Sequence, residues 1–153
     1  MTTMTETSVQ VYQVYIRATP EQIWEAITTP EFTVKYFHGS IIESTYEVGA
    51  VVNGWSTDHT QLWVDGVVEE ADPPRKLSHT WRALYNPETA AEEPSRVTWE
   101  IEPADGGVCK LTVVHDRLEG APKTAASVSG AGWMHVLSGM KTLLETGEPL
   151  FGG

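Results

Sequence analysis

The chain has 153 residues and 41% apolar content, which fits one domain with a sizeable core and excludes wholesale disorder. Its 21 acidic residues outnumber 10 basic ones, and a net charge of −11 argues against nucleic acid, whose phosphates need clustered Lys and Arg, and against an anionic membrane surface. No apolar run approaches bilayer-spanning length, "MTTMTETSVQ" has no secretory pattern and Cys109 is the only cysteine, so a cytoplasmic protein without membrane insertion or internal disulfide is expected.

Residues 1–8 read as a flexible polar N-terminus. From Val9 the text alternates, with Val9, Val11, Gln13 and Tyr15 on one side and Tyr12, Val14 and Ile16 on the other, which predicts a strand. "ATPEQIWEAITTPEF" carries helix signals: Thr19 as N-cap, Pro20 at the first helical position and Gln22 where a capping box needs it. Ile23, Trp24 and Ile27 make its apolar stripe, Pro30 ends it, and "EFTVKYF" can form a second short helix. After Gly39, "SIIESTY", "AVVNGWST", "QLWVDGVVEEA", "KLSHTWRAL", "SRVTWEIEP" and "VCKLTVVHDRL" read as short strands divided by turn residues. "ADGG" is a hairpin signal, and the acidic "NPETAAEEPS" (86–95) is predicted to be an exposed loop. A last helix is predicted to begin near Thr124, with Gly130 and Gly132 as weak points. Trp133, Leu137, Met140 and Leu144 share one face of it, which Val136 and Leu143 widen. Gly147 supplies its C-terminal cap and Pro149 stops it, leaving 148–153 as a tail.

Strands joined by short turns imply an antiparallel sheet, and only one long helix is present to cover its inner face, so residues 9–147 are predicted to form one α+β domain. Alternation puts Leu77, His79 and Trp81 inward, with Val97, Trp99 and Ile101, and with Cys109, Leu111, Val113 and His115. In "QLWVDGVVEE" the parity is less clean; Leu62, Val64, Gly66 and Val68 are assigned inward because the other row carries Gln61, Asp65 and Glu69. Glu70 follows Val68 on that row. His79, His115 and Glu70 are thus candidates to orient the polar end of a ligand in an apolar cavity, against the plainer reading of core histidines.

Motifs for cofactors and catalysis are missing. "GAGWMH" lacks the third glycine of a dinucleotide fingerprint and opens no βαβ unit, and there is no phosphate-binding loop, nucleophile elbow or zinc-helix motif. Asp58 and His59 read as turn residues, and His38, His59 and His135 have no metal-site spacing. Cys109 reads as a small core hydrophobe. No metal and no cofactor is expected.

Three stretches, "ATPEQIWEAITTPEFTVKYF", "DGVVEEADPPRKLSHTW" and "WMHVLSGMKTLLETG", resemble in that order the SRPBCC superfamily, which includes START and birch-pollen-allergen domains. Within it the chain is most similar to the family named after the activator of Hsp90 ATPase. The resemblance implies a helix-grip fold of β-α-α-β6-α order: a curved antiparallel sheet of about six to seven strands around the long C-terminal helix, often with a cavity between. It implies a hydrophobic small-molecule partner, whether lipid, polyketide or aromatic. Parity and helix face nominate Trp24, Phe37, Trp55, Trp63, Trp81, Trp99, Trp133, Leu137 and Met140 as pocket residues. Two other functions stand beside ligand binding. One is a cyclase- or hydrolase-type enzyme using His79, His115 or Glu70 as acid or base; the other is a stress or interaction role with a protein partner, as the family name implies.

Overall fold

The computed structural model describes residues 9–129 and 131–151, so the predicted flexible segment 1–8 lies outside the described residues. The first predicted strand forms β1 (Gln10–Ile16), with Val11, Gln13 and Tyr15 exposed and Ile16 fully buried. Thr19 then caps α1 (Pro20–Thr28) with both halves of a capping box. Its Oγ1 accepts from the Gln22 backbone N–H at 3.1 Å, while Gln22 Oε1 accepts from the Thr19 N–H at 2.9 Å. Pro30 opens α2 (Pro30–Tyr36), and the buried Tyr36 hydroxyl donates to the Ala26 carbonyl at 2.7 Å, tying the two helices together.

The strands that follow are β2 (Ile41–Glu43), β3 (Val51–Trp55), β4 (Leu62–Asp72), β5 (Lys76–Ala83), β6 (Ser95–Pro103) and β7 (Cys109–Asp116). Three helices complete the chain: α3 (Pro87–Ala90), α4 (Pro122–Val128) and α5 (Ala131–Thr146). The sheet is antiparallel with seven strands in the order β1-β7-β6-β5-β4-β3-β2. From β2 onward each strand pairs with its sequence neighbour, and β1 lies beside β7 with Gln10 opposite His115 and Ile16 opposite Cys109. The "ADGG" turn closes β6 on β7, with Gly106 and Gly107 at positive φ.

α5 packs on the inner face of this sheet. Trp133, Val136, Leu137, Met140 and Leu143 share the core with Leu77, Trp81, Val97, Trp99, Leu111 and Val113. Each such side chain contributes about 1.5–3 kcal/mol by leaving water. Gly139 lets α2 approach, since a Cβ there would meet the Tyr36 Cβ at 3.1 Å. The result is the α+β helix-grip fold.

The structure departs from the sequence reading in three places. Residues 86–95 are not simply an exposed loop: Asn86 caps the short α3, the buried Thr89 donates its hydroxyl to the Ala83 carbonyl at 2.9 Å, and Ser95 is fully buried. Short polar side chains with satisfied hydroxyls tolerate that burial. The last helix is not continuous from Thr124, because extended backbone at Ser129 separates α4 from α5. Finally, β4 is bulged twice. Trp63 is the extra residue where Gly54 pairs with Val64 and Trp55 with Leu62, and Glu69 is the extra residue where Val68 pairs with His79 and Glu70 with Ser78. The second bulge reverses the strand's phase, so Ala71 rather than Glu70 follows Val68 inward, opposite the buried Leu77. Glu70 is exposed, 3.4 Å from Lys76, and is withdrawn as an interior group.

Candidate functional site

A cavity of about 480 Å³ lies between the end of α2, the β4–β5 pair and the α4–α5 corner. Phe37, His38 and Ser40 reach it from the α2 end, Trp63 and Val64 from β4, and Trp81 and Tyr85 from β5 and just beyond. The helix break delivers the rest: Ser127 and Val128 from α4, and Gly132, Trp133 and Val136 from α5. None of these lining residues is Asp, Glu, Lys or Arg. Ring centroids stand 5.6 Å apart for Phe37–Trp81, 5.9 Å for Phe37–Trp133 and 6.4 Å for Trp81–Trp133, spacings at which aromatic rings attract. A void of about 20 Å³ adjoins the cavity, sharing Phe37, Ser40, Val64 and Trp81 and extending to His79 and Trp99.

Behind this wall, two histidines serve two indoles. Trp99 Nε1–H donates to His79 Nε2 at 3.1 Å, leaving His79 Nδ1–H to donate to the Thr80 carbonyl at 3.0 Å. Trp133 Nε1–H donates to His115 Nδ1 at 3.1 Å, so Nε2 carries the proton toward Ser95 Oγ at 2.7 Å. Ser95 in turn donates to the Trp81 carbonyl at 3.1 Å. Both rings are neutral in this arrangement. Burial lowers the His79 pKa, and burial with the nearby His79 pushes His115 down to about 4. The third indole is different. Trp81 is 7% exposed, yet among the described residues its Nε1 has no hydrogen-bond partner. A buried donor left in that condition costs about 1–3 kcal/mol.

At the cavity rim His38 has left-handed backbone, φ 55°. Its ring stacks on His135 at 4.4 Å between centroids, and His135 stacks on Phe151 of the tail at 3.6 Å. Burial first, then the neighbouring His135, lowers the His38 pKa.

Of the residues nominated from sequence, Phe37, Trp63, Trp81 and Trp133 are on the cavity wall. His79 and Trp99 border only the small void, and His115 lies behind Trp133 with both nitrogens engaged. Leu137 and Met140 are packed in the core away from the cavity, and Trp24 is half-buried on α1. Trp55 stacks on His59 at 4.6 Å rather than reaching the site. His38, Ser40 and Tyr85 lie between elements, where neither strand nor helix period assigns a face, and Ser127, Val128 and Gly132 reach the wall only because the helix breaks between α4 and α5. Glu70, His79 and His115, the acid–base candidates, do not face the cavity. Among the described residues no cluster of His, Cys, Asp and Glu is arranged to hold a metal ion, and no helix is long and apolar enough to cross a membrane.

The family model described as activator of Hsp90 ATPase homolog 1-like protein matches residues 17–145. The chain belongs to that family. No curated protein matches it. The chain is similar in structure to protein MLL2253 from Mesorhizobium loti, with TM-score 0.72, 22% identity and coverage of 90% of this chain and 96% of that one. PFC0360w, an Hsp90 activator from Plasmodium falciparum, gives TM-score 0.69 at 19% identity, covering 90% of this chain and 96% of that one. DynU16, from the dynemicin biosynthetic locus, gives TM-score 0.73 at 20% identity over 93% of this chain, which spans only 49% of DynU16. Likeness at these identities speaks for the fold alone.

Proposed function

We propose that this chain is a binding protein for a hydrophobic, aromatic small molecule, held between α5, the end of α2 and the β4–β5 pair. The observation that carries this reading is the cavity of about 480 Å³, walled by Phe37, Trp63, Trp81 and Trp133 and lined, among the described residues, by no carboxylate, lysine or arginine. Its size falls in the range of small-molecule sites, and its lining favours flat, uncharged ligands over fatty acids or phosphates, whose charge would find no partner.

The experiment is calorimetric titration of the purified chain with fluorene, a neutral three-ring aromatic, and with laurate. Saturable one-site binding of the aromatic is expected, weakened about tenfold or more by Trp133→Ala, with laurate weak or silent. Absence of binding by fluorene and its oxygenated analogues would remove the reading. Tight laurate binding would replace the aromatic class with lipids.

A further inference from the structure

We infer that the Trp81 indole N–H is the recognition donor of this cavity, and that its ligands are neutral aromatic molecules bearing a hydrogen-bond-accepting oxygen, such as a ring ketone. This deepens the small-molecule reading and rests on it.

The inward-facing aromatic layer holds three buried indoles, and two have a dedicated acceptor. Trp99 has His79, and Trp133 has His115, each at 3.1 Å. Trp81 lies between them, its ring centroid 6.4 Å from each histidine and from Trp133, without an acceptor for its own N–H among the described residues. Neither histidine is free to change partner. The lone pair of each already takes an indole N–H, so a switch would only move the unmatched donor to Trp99 or Trp133. A core that supplies two of its three indoles so specifically leaves the third for something outside the chain.

Position says where that acceptor enters. Trp81 belongs both to the wall of the 480 Å³ cavity and to the wall of the 20 Å³ void that shares Phe37, Ser40 and Val64 with it. A ring system fits the larger space. The smaller one has room for about one oxygen atom or one water. Charge then sets the acceptor's type. With no Lys or Arg on either lining among the described residues, and with His79 held neutral by its indole, an anionic oxygen would be desolvated without compensation, whereas a carbonyl oxygen requires one donor. Sites that offer a buried hydrogen bond discriminate strongly against an analogue lacking the partner atom.

The test compares 9-fluorenone with fluorene, which differ by a carbonyl in place of a methylene, by calorimetry on the full chain and on Trp81→Phe. The wild-type chain is expected to bind fluorenone at least about tenfold more tightly than fluorene. Trp81→Phe is expected to bind the two within about threefold of each other. In ¹H–¹⁵N spectra of the wild-type chain, fluorenone and not fluorene should move the Trp81 indole resonance downfield, and this readout stands if the variant does not fold. Equal affinities in the wild-type chain, or a preference that survives Trp81→Phe, would overturn the inference while leaving the aromatic-binding reading intact. So would a Trp81 indole proton that keeps its contact with a trapped water when fluorenone is bound. Failure of both compounds to bind would overturn the binding reading and this inference together.

Discussion

His115 is fully buried, with Ser95 at one ring nitrogen and the Trp133 N–H at the other. Protonating it would set two donors face to face across 3.1 Å, so the fold holds the ring neutral. Its folded pKa, about 4, lies below the unfolded value of about 6.5. The unfolded chain therefore binds more protons between those limits, and the associated stability is full above about pH 6.5 and lost as pH falls toward 4. His79 and His38, both lowered first by burial, act with the same sign. Urea midpoints should fall between pH 6.5 and pH 4, with a total on the order of 3 kcal/mol from His115. His115→Phe should flatten that fall and, at pH 7, weaken the fold by roughly 2–4 kcal/mol, because Trp133 loses its acceptor and Ser95 its donor. A midpoint insensitive to pH across this window would contradict a neutral, indole-bound His115. Strand alternation was enough to place His79, Trp81 and His115 inward. It carries no information on which side chains then meet. His79 and Trp99 are joined only by the β5–β6 register, and His115 and Trp133 only by the docking of α5, so the buried indole that lacks an acceptor among the described residues was invisible in the sequence.

Among the elements, β4 shows how a single strand can defeat a period-two reading. "DGVVEE" contains no Pro, and its one glycine is not at the second bulge, so nothing local marks the reset of phase at Glu69. Glu70 was misplaced for that reason, while Trp63 sits at the other bulge and reaches the cavity wall. The α1 capping box was legible because both of its halves lie within four residues, Thr19 to Gln22. The glycine that β4 does contain is required by packing. A Cβ on Gly66 would lie 1.9 Å from the Thr80 carbonyl oxygen and 2.8 Å from its carbon, and backbone atoms yield only if β4 leaves β5. Gly66→Ala should therefore destabilise by about 2–4 kcal/mol or prevent folding. Gly106→Ala, in the β6–β7 turn at φ 75° with open space around it, should cost only about 1 kcal/mol from its left-handed backbone. Urea unfolding of the two variants side by side is the check; equal losses would mean that the Gly66–Thr80 contact is unimportant.

For the molecule as a whole, the order of helices and strands could be read from turn residues and caps, but alternation along a strand does not name its neighbour. The β1–β7 pairing is the clearest case, and it starts outside the family match, which begins at Arg17. Yet β1 is bound at several points. Ile16 is fully buried, Lys141 donates to the Tyr15 carbonyl at 2.7 Å, and the Gln10 amide donates to the Ala125 carbonyl at 3.0 Å. A chain lacking residues 1–16 should lose the cooperative near-ultraviolet transition of the full chain, since β7 becomes an open edge beside Leu111 and Val113. Unfolding at the full-chain midpoint would show β1 to be dispensable. The same pairing governs how the protein is made. Residue 10 leaves the ribosome about a hundred residues ahead of residue 115, its partner. At about 5–20 residues per second, β1 waits roughly five to twenty seconds with its ladder groups unmatched. During synthesis, β1 is thus exposed to wrong partners for longer than any other strand of this sheet, a consequence of strand order rather than of what β1 buries.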